Sequence, residues 1–102
     1  MGKQLLQLNF KFGMERNEYE AMADELAGAF ANVDGLEWKV WLMDEEHKGA
    51  GGIYMFDSES SLNNFLSSDL AEQVTGHPAF SDLDAKPFEV LDSPSRTTRA
   101  PL

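Results

Sequence analysis

Hydrophobic periodicity divides this chain into six regular segments, and their order restricts the folds open to it. Gln4 to Phe12 alternates: Leu6, Leu8, Phe10 and Phe12 share one side, and Leu5, Gln7, Asn9 and Lys11 the other. A two-residue period is that of a strand, which Gly13 ends. Tyr19, Met22, Ala23, Leu26, Ala27 and Phe30 then recur at helical spacing. Asn17 and Glu20 stand as in a capping box, and Asp34-Gly35 predicts the stop and turn after about Asn32. Leu36 to Asp44 alternates again, with Leu36, Trp38, Val40 and Leu42 on one side and Glu37, Lys39, Trp41 and Met43 on the other. Asp44 to Gly49 is polar and reads as a hairpin loop. Ala50 to Asp57 is the third strand: Ala50, Gly52, Tyr54 and Phe56 oppose Gly51, Ile53 and Met55. Asp57 or Ser58 caps a second helix striped by Leu62, Phe65 and Leu66, extended by Leu70 and Val74, and ended by Gly76-His77-Pro78. Leu83 to Leu91 is the last strand, with Lys86, Phe88 and Val90 on one side, and Pro87 places it at an edge.

The order βαββαβ predicts an α+β, ferredoxin-like fold: a four-stranded antiparallel sheet with two helices on one face. Residues 1–92 form that domain, and 93–102 are expected to be a flexible tail, loose unless it docks on a partner. Two helices cover only one sheet face. The other is expected to mix Leu5, Trp41, Met43, Ile53 and Met55 with Gln7, Asn9, Glu37 and Lys39. A half-apolar open face predicts a partner, and a homodimer packed sheet to sheet is the simplest solution.

Charge and composition exclude several classes of function. Eighteen acidic against eight basic residues give a net charge of −10. Such a surface repels a nucleic-acid backbone and an anionic membrane. The acidity fits either ordinary solubility or a salt-rich cytoplasm. Without cysteine there is no disulfide, thiolate nucleophile or cysteine zinc site. No apolar run approaches the length of a membrane span, and Met1 to Phe12 lacks the continuous apolar stretch of a secretory signal, so a cytoplasmic location is expected.

Few residues carry obvious chemistry. Trp38 and Trp41 are three apart on one strand and therefore face opposite ways, one towards the helices and one towards the partner. They read as core and interface packing, or as the wall of a pocket for a flat apolar ligand. Gly49-Ala50-Gly51-Gly52 leads into a strand and fits neither phosphate-loop spacing; it marks a bulge or close approach, or leaves room for a ligand. Tyr54 reads as a structural phenol or as one that orients a phenolic substrate. Asn9 and Lys39 are interface residues, or pocket groups that hold an oxyanion. His47 and His77 have no second ligand at helical spacing, so no metal site is visible. There is no Gly-x-Ser-x-Gly nucleophile motif.

Three blocks in combination, Leu5-Leu6-Gln7-Leu8-Asn9-Phe10, Gly35-Leu36-Glu37-Trp38-Lys39-Val40-Trp41 and Ala50-Gly51-Gly52-Ile53-Tyr54-Met55-Phe56, resemble the YdhR-type monooxygenases. Lys86-Pro87-Phe88-Glu89-Val90 is similar to that family's closing strand, and the resemblance runs from about Gln4 to Asp92. It implies a dimeric α+β barrel. It also implies kinship with monooxygenases that oxidise aromatic polyketides with O₂ and without metal, flavin or other cofactor. Their pocket lies between sheet and helices, and the substrate, once deprotonated, supplies the electrons. On that reading Trp38 and Tyr54 contact a small electron-rich aromatic. Phe10, Phe56 and Phe65 are its apolar walls, and Asn9 and Lys39 polarise an oxygen. No complete catalytic set maps onto the chain. A non-catalytic module that binds a small molecule is the alternative. A haem-degrading relative is a minor one, resting on Asn9 and His77; Tyr54 stands where that group's Trp does not match. A ligand-free structural dimer is the third.

Overall fold

The four alternating segments become the strands of one antiparallel sheet, ordered β2-β3-β1-β4 in the computed structural model, which describes residues 2–102. The strands are β1 (Gln4–Phe12), β2 (Leu36–Asp44), β3 (Gly49–Phe56) and β4 (Phe80–Glu89). The helices are α1 (Arg16–Ala31), α2 (Glu59–Leu66), α3 (Asp69–Thr75) and α4 (Asp92–Thr97). This is the ferredoxin-like arrangement, with the second helix divided and a short helix added at the end. Among the described residues no helix is long and apolar enough to cross a membrane.

Local chemistry explains where the elements differ from expectation. Glu15, not Asn17, is the N-cap of α1 and makes no side-chain cap bond; Glu20 instead accepts from Arg16 at 2.9 Å. The second helical stretch breaks at Ser67-Ser68. Ser58 caps α2 by accepting from the Ser61 amide at 3.1 Å, and Ser68 caps α3 by accepting from Ala71 at 3.2 Å. A serine able to cap competes with continued helix. Strand β4 starts at Phe80, earlier than Leu83, and bulges opposite Asn9 to Lys11, with Asp82 at φ 53°. Pro87 does sit in an edge strand.

The helix-facing side of the sheet buries Leu6, Leu8, Phe10 and Phe12 of β1 and Tyr54 and Phe56 of β3. Tyr19 and Phe30 from α1, Leu62 and Phe65 from α2, and Ala71 and Val74 from α3 close the core. Each large side chain contributes about 1.5–3 kcal/mol by leaving water.

From Trp38 onwards the faces of β2 are the reverse of those expected, while Leu36 packs on the core as expected. Leu36 pairs with Phe56, but Trp38 pairs with Met55, so β2 spends two residues where β3 spends one. This bulge at Glu37 shifts the register by one, and a one-residue shift moves every later side chain to the opposite face. Trp41 and Met43, expected at a dimer interface, pack on the core beneath the helices, and Lys39 goes with them. Trp38, expected beneath the helices, stands on the open face. Glu37 forms an ion pair with Lys3.

On the open face the register lines up two cross-strand rows. The first is Trp38, Met55, Leu5 and Phe88; the next is Val40, Ile53, Gln7 and Lys86. The last ten residues, expected to be a flexible tail, carry α4 from its second residue onwards and fold back over the Trp38 and Met55 end of the first row, leaving Phe88 half-exposed. Trp38 donates its indole N–H to the Pro101 carbonyl at 3.0 Å, and Met55 is only 3% exposed.

Candidate active site between sheet and helices

Aromatic side chains dominate the layer between sheet and helices, in two adjoining groups. Phe30, Tyr54, Phe56 and Phe65 form one, with ring centroids 5.3–6.2 Å apart in the contacts they share. Phe10, Phe12, Tyr19 and Phe80 form the other; Phe10 and Phe80 stack at 4.4 Å, and His77 stacks on Phe80 at 4.6 Å. Trp41 stands edge-on to Phe30 at 5.3 Å.

Lys39 lies between these groups. Its Nζ sits 3.3 Å from the Trp41 ring centre, 3.5 Å from Phe30 and 4.6 Å from Tyr54. Among the described residues no carboxylate pairs with it. Burial lowers its pKa to about 7, because a desolvated ammonium is disfavoured. The ring faces oppose that loss by attracting the cation. Burial raises the pKa of Tyr19, and burial together with Tyr19 raises that of Tyr54, so both phenols stay protonated.

The space at this point is small. A gap of about 10 Å³, no larger than one water, is lined by Lys39, Tyr19, Tyr54, Trp41, Phe10, Met22 and neighbours. Two clefts flank it on either side of α1. One, about 390 Å³, lies against β2 and is bounded by Tyr19, Glu20, Asp24, Trp41 and Met43. The other, about 370 Å³, lies against α3 and is bounded by Met22, Leu26, Val74, His77 and Phe80. Between the buried Tyr19 and Phe30 of α1, the half-buried Met22 and Leu26 cover the gap at Lys39. Either cleft has the size of a small-molecule site.

Of the residues singled out from sequence, Tyr54, Phe10, Phe56, Phe65 and Lys39 come together here. Trp38 and Asn9 do not; Asn9 faces a hollow of the open sheet face with Lys11, Asp44 and Asp82. Asn9 and His77 therefore lie on opposite sides of the sheet, so the haem constellation is not assembled. The Ala79 amide donates to His77 Nδ1 at 3.0 Å, and His47 pairs with Asp44 in the exposed hairpin loop. Sequence reasoning places Trp41 at the wrong face and gives no site role to Tyr19, Phe30 or Phe80. The helical spacing of Tyr19 and Phe30 is the available signal for two of these.

A family profile described as "Putative mono-oxygenase ydhR" matches residues 5–101, the tail included. The chain belongs to the YdhR family. Among curated proteins no sequence match was found. Solved structures share the fold. The cofactor-independent oxygenase SnoaB of Streptomyces nogalater superposes with a TM-score of 0.73 at 15% identity, covering 91% of this chain and 97% of SnoaB. A "putative antibiotic biosynthesis monooxygenase" of Deinococcus radiodurans gives 0.72 at 13% identity, covering 88% and 94%. A conserved protein of Methanosarcina mazei gives 0.72 at 11%, covering 89% and 95%. The family thus points to monooxygenase-like function, and the layer between sheet and helices is this member's aromatic-lined interior.

Proposed function

We propose that the chain is a monooxygenase that oxidises a small electron-rich aromatic with O₂ and needs no cofactor. The observation that carries this reading is the aromatic interior beneath α1, in a member of a monooxygenase family. Tyr54, Trp41, Phe10, Phe56 and Phe65 hold the flat substrate, and closure around it excludes water. For an anthrone-type substrate the balance is a ring CH₂ plus O₂ giving C=O plus water. The substrate supplies the electrons, one oxygen atom enters the product, and the other leaves as water.

The test is O₂ uptake and product mass over a panel of anthrones and hydroquinones, with metal and flavin withheld. A product heavier by about 14 mass units, formed with O₂ consumption, supports the reading; the figure is the replacement of two hydrogens by one oxygen. Trp41→Ala should lower turnover by tenfold or more, about 1.4 kcal/mol in the barrier, with the fold intact by circular dichroism. Trp38→Phe, on the opposite face, should not. No turnover of any aromatic would overturn the reading.

One observation favours a second reading. The gap at Lys39 is closed to about 10 Å³, as suits a module that opens only to bind. That module would show ligand-induced stabilisation without product.

The partner we propose is a second copy packed on the open face. Leu5, Ile53 and Met55 belong to that face, and Trp41 and Met43 do not. The tail already covers Met55, so the second copy meets Val40 and Phe88, 49% and 47% exposed, together with Ile53.

A further inference from the structure

We propose that Lys39 is the proton acceptor and counter-ion of the interior site, and that the site selects weak acids that arrive neutral: planar phenols or enols. This rests on the reading of the layer beneath α1 as the ligand site.

Three observations converge. The first is geometric: three ring faces stand within 4.6 Å of Nζ, whereas the other lysine near the layer, Lys48, meets only the Phe12 ring, at 5.5 Å. Rings cannot hydrogen-bond the amine as water does, but they stabilise the ammonium once it forms. A ligand placed there meets a base that has no competing carboxylate among the described residues.

The second is the charge at the entrance. Of the two clefts that could admit a ligand, Glu20 and Asp24 line the one between α1 and β2 and Glu72 the one against α3, and the whole chain carries −10. A permanently anionic ligand is repelled there. A neutral phenol or enol is not, and it acquires its charge only after passing the carboxylates. The step moves one proton from the ligand oxygen to Lys39 Nζ, giving a phenolate beside an ammonium, and no other bond changes.

The third is the state of the neighbours. The titratable groups facing Lys39 are Tyr19 from α1 and Tyr54 from β3; Glu20 and Asp24 line the cleft against β2, and Glu72 and His77 the cleft against α3. Both phenols are held protonated, so neither competes for the proton's place on the base. An amine poised near neutrality is partly free to accept. Gly52 has the complementary role: a methyl group there would stand 2.9 Å from Lys39 Cε, so the absent side chain leaves the lysine its path into the interior.

The experiment uses 4-nitrophenol, whose anion is yellow, and 4-nitroanisole, which has a similar shape and cannot ionise. Both are titrated into the full chain across neutral and mildly acidic pH. Binding should lower the apparent pKa of nitrophenol by about 1–3, the effect of an adjacent cation. Yellow anion should therefore appear where the free probe is colourless. Lys39→Met should bind nitroanisole as the parent does and nitrophenol only in its colourless form. Lys39→Gln provides the same comparison should the first variant not fold. Nitrophenol that stays colourless when bound to the parent chain, or that ionises in Lys39→Met as it does in the parent, overturns the role of Lys39 and leaves the site standing. Failure of both probes to bind the parent chain overturns the site and this inference with it.

Discussion

Gly52 on β3 and Lys39 on β2 share one space: a Cβ built on the glycine lies 2.9 Å from Lys39 Cε and 3.1 Å from the Val40 carbonyl. The lysine therefore reaches the interior over a residue that has no side chain. Gly52→Ala should displace the lysine and overpack the layer, at about 1–3 kcal/mol. Denaturant unfolding measures this. Combining it with Lys39→Ala should recover part of the loss, since residues in contact are not additive.

The pH dependence of stability carries the mark of the same lysine. Its pKa is about 7 in the fold against 10.5 when solvated. Between those values the unfolded chain binds more protons, so stability should rise with pH from about 7 to about 10. Below 7 both states hold the proton, and the full penalty of burying the charge applies. Above about 10 the raised pKa values of Tyr19 and Tyr54 reverse the trend, because the unfolded chain ionises first. Thermal unfolding of Lys39→Met should lack the rise and show higher stability at pH 7. The gain should be on the order of 1.4 kcal/mol for each tenfold loss of proton affinity that burial imposes on the lysine.

The tail is a structural element of the open face. Deleting residues 93–102 removes the Pro101 carbonyl that accepts from Trp38 and uncovers Met55. In a Trp41→Phe background the emission of Trp38 should move to the red, and unfolding should come at lower denaturant. Unchanged emission would mean that the tail does not rest on Trp38 in solution.

Val40 tests the proposed dimer without touching the interior. Val40→Asp puts a charge in the centre of the row with Ile53, and sedimentation should show dimer giving way to monomer. Retained nitroanisole binding would separate assembly from the site.

Capping and turn chemistry set the helix ends. Ser58→Ala should cost about 1 kcal/mol by leaving the Ser61 amide without its acceptor. Gly35→Ala should cost more. Gly35 adopts φ 80°, and an added methyl group would overlap the Ser61 side chain. Chemical denaturation of the two variants should rank them in that order.

Much of the fold was legible because alternation and helical spacing are local. β1 and β2 have the limits the periodicity gives, and Pro87 marks an edge strand because it cannot donate to a ladder. Asp57-Ser58 announced a cap. The division of the second helix was written in Ser67-Ser68, but a pair of serines signals a break only when the backbone takes up the alternative. The site was legible in part: Tyr54, Phe10, Phe56 and Phe65 follow from strand alternation and the helical stripe.

By itself, then, the sequence determined the order of elements, the ferredoxin-like topology, the two sets of residues on β1 and on β3, and the family. It could not determine which set of β2 faces the helices. Both sets carry a tryptophan and aliphatic neighbours, so hydrophobicity gives no preference, and the answer depends on the bulge at Glu37, which only pairing with β3 imposes. That one-residue shift carries Trp41 and Lys39 into the aromatic layer and Trp38 out to the tail. The depressed pKa of Lys39 has the same origin, since it comes from the desolvation imposed by Phe30, Trp41 and Tyr54, residues brought around it from three elements.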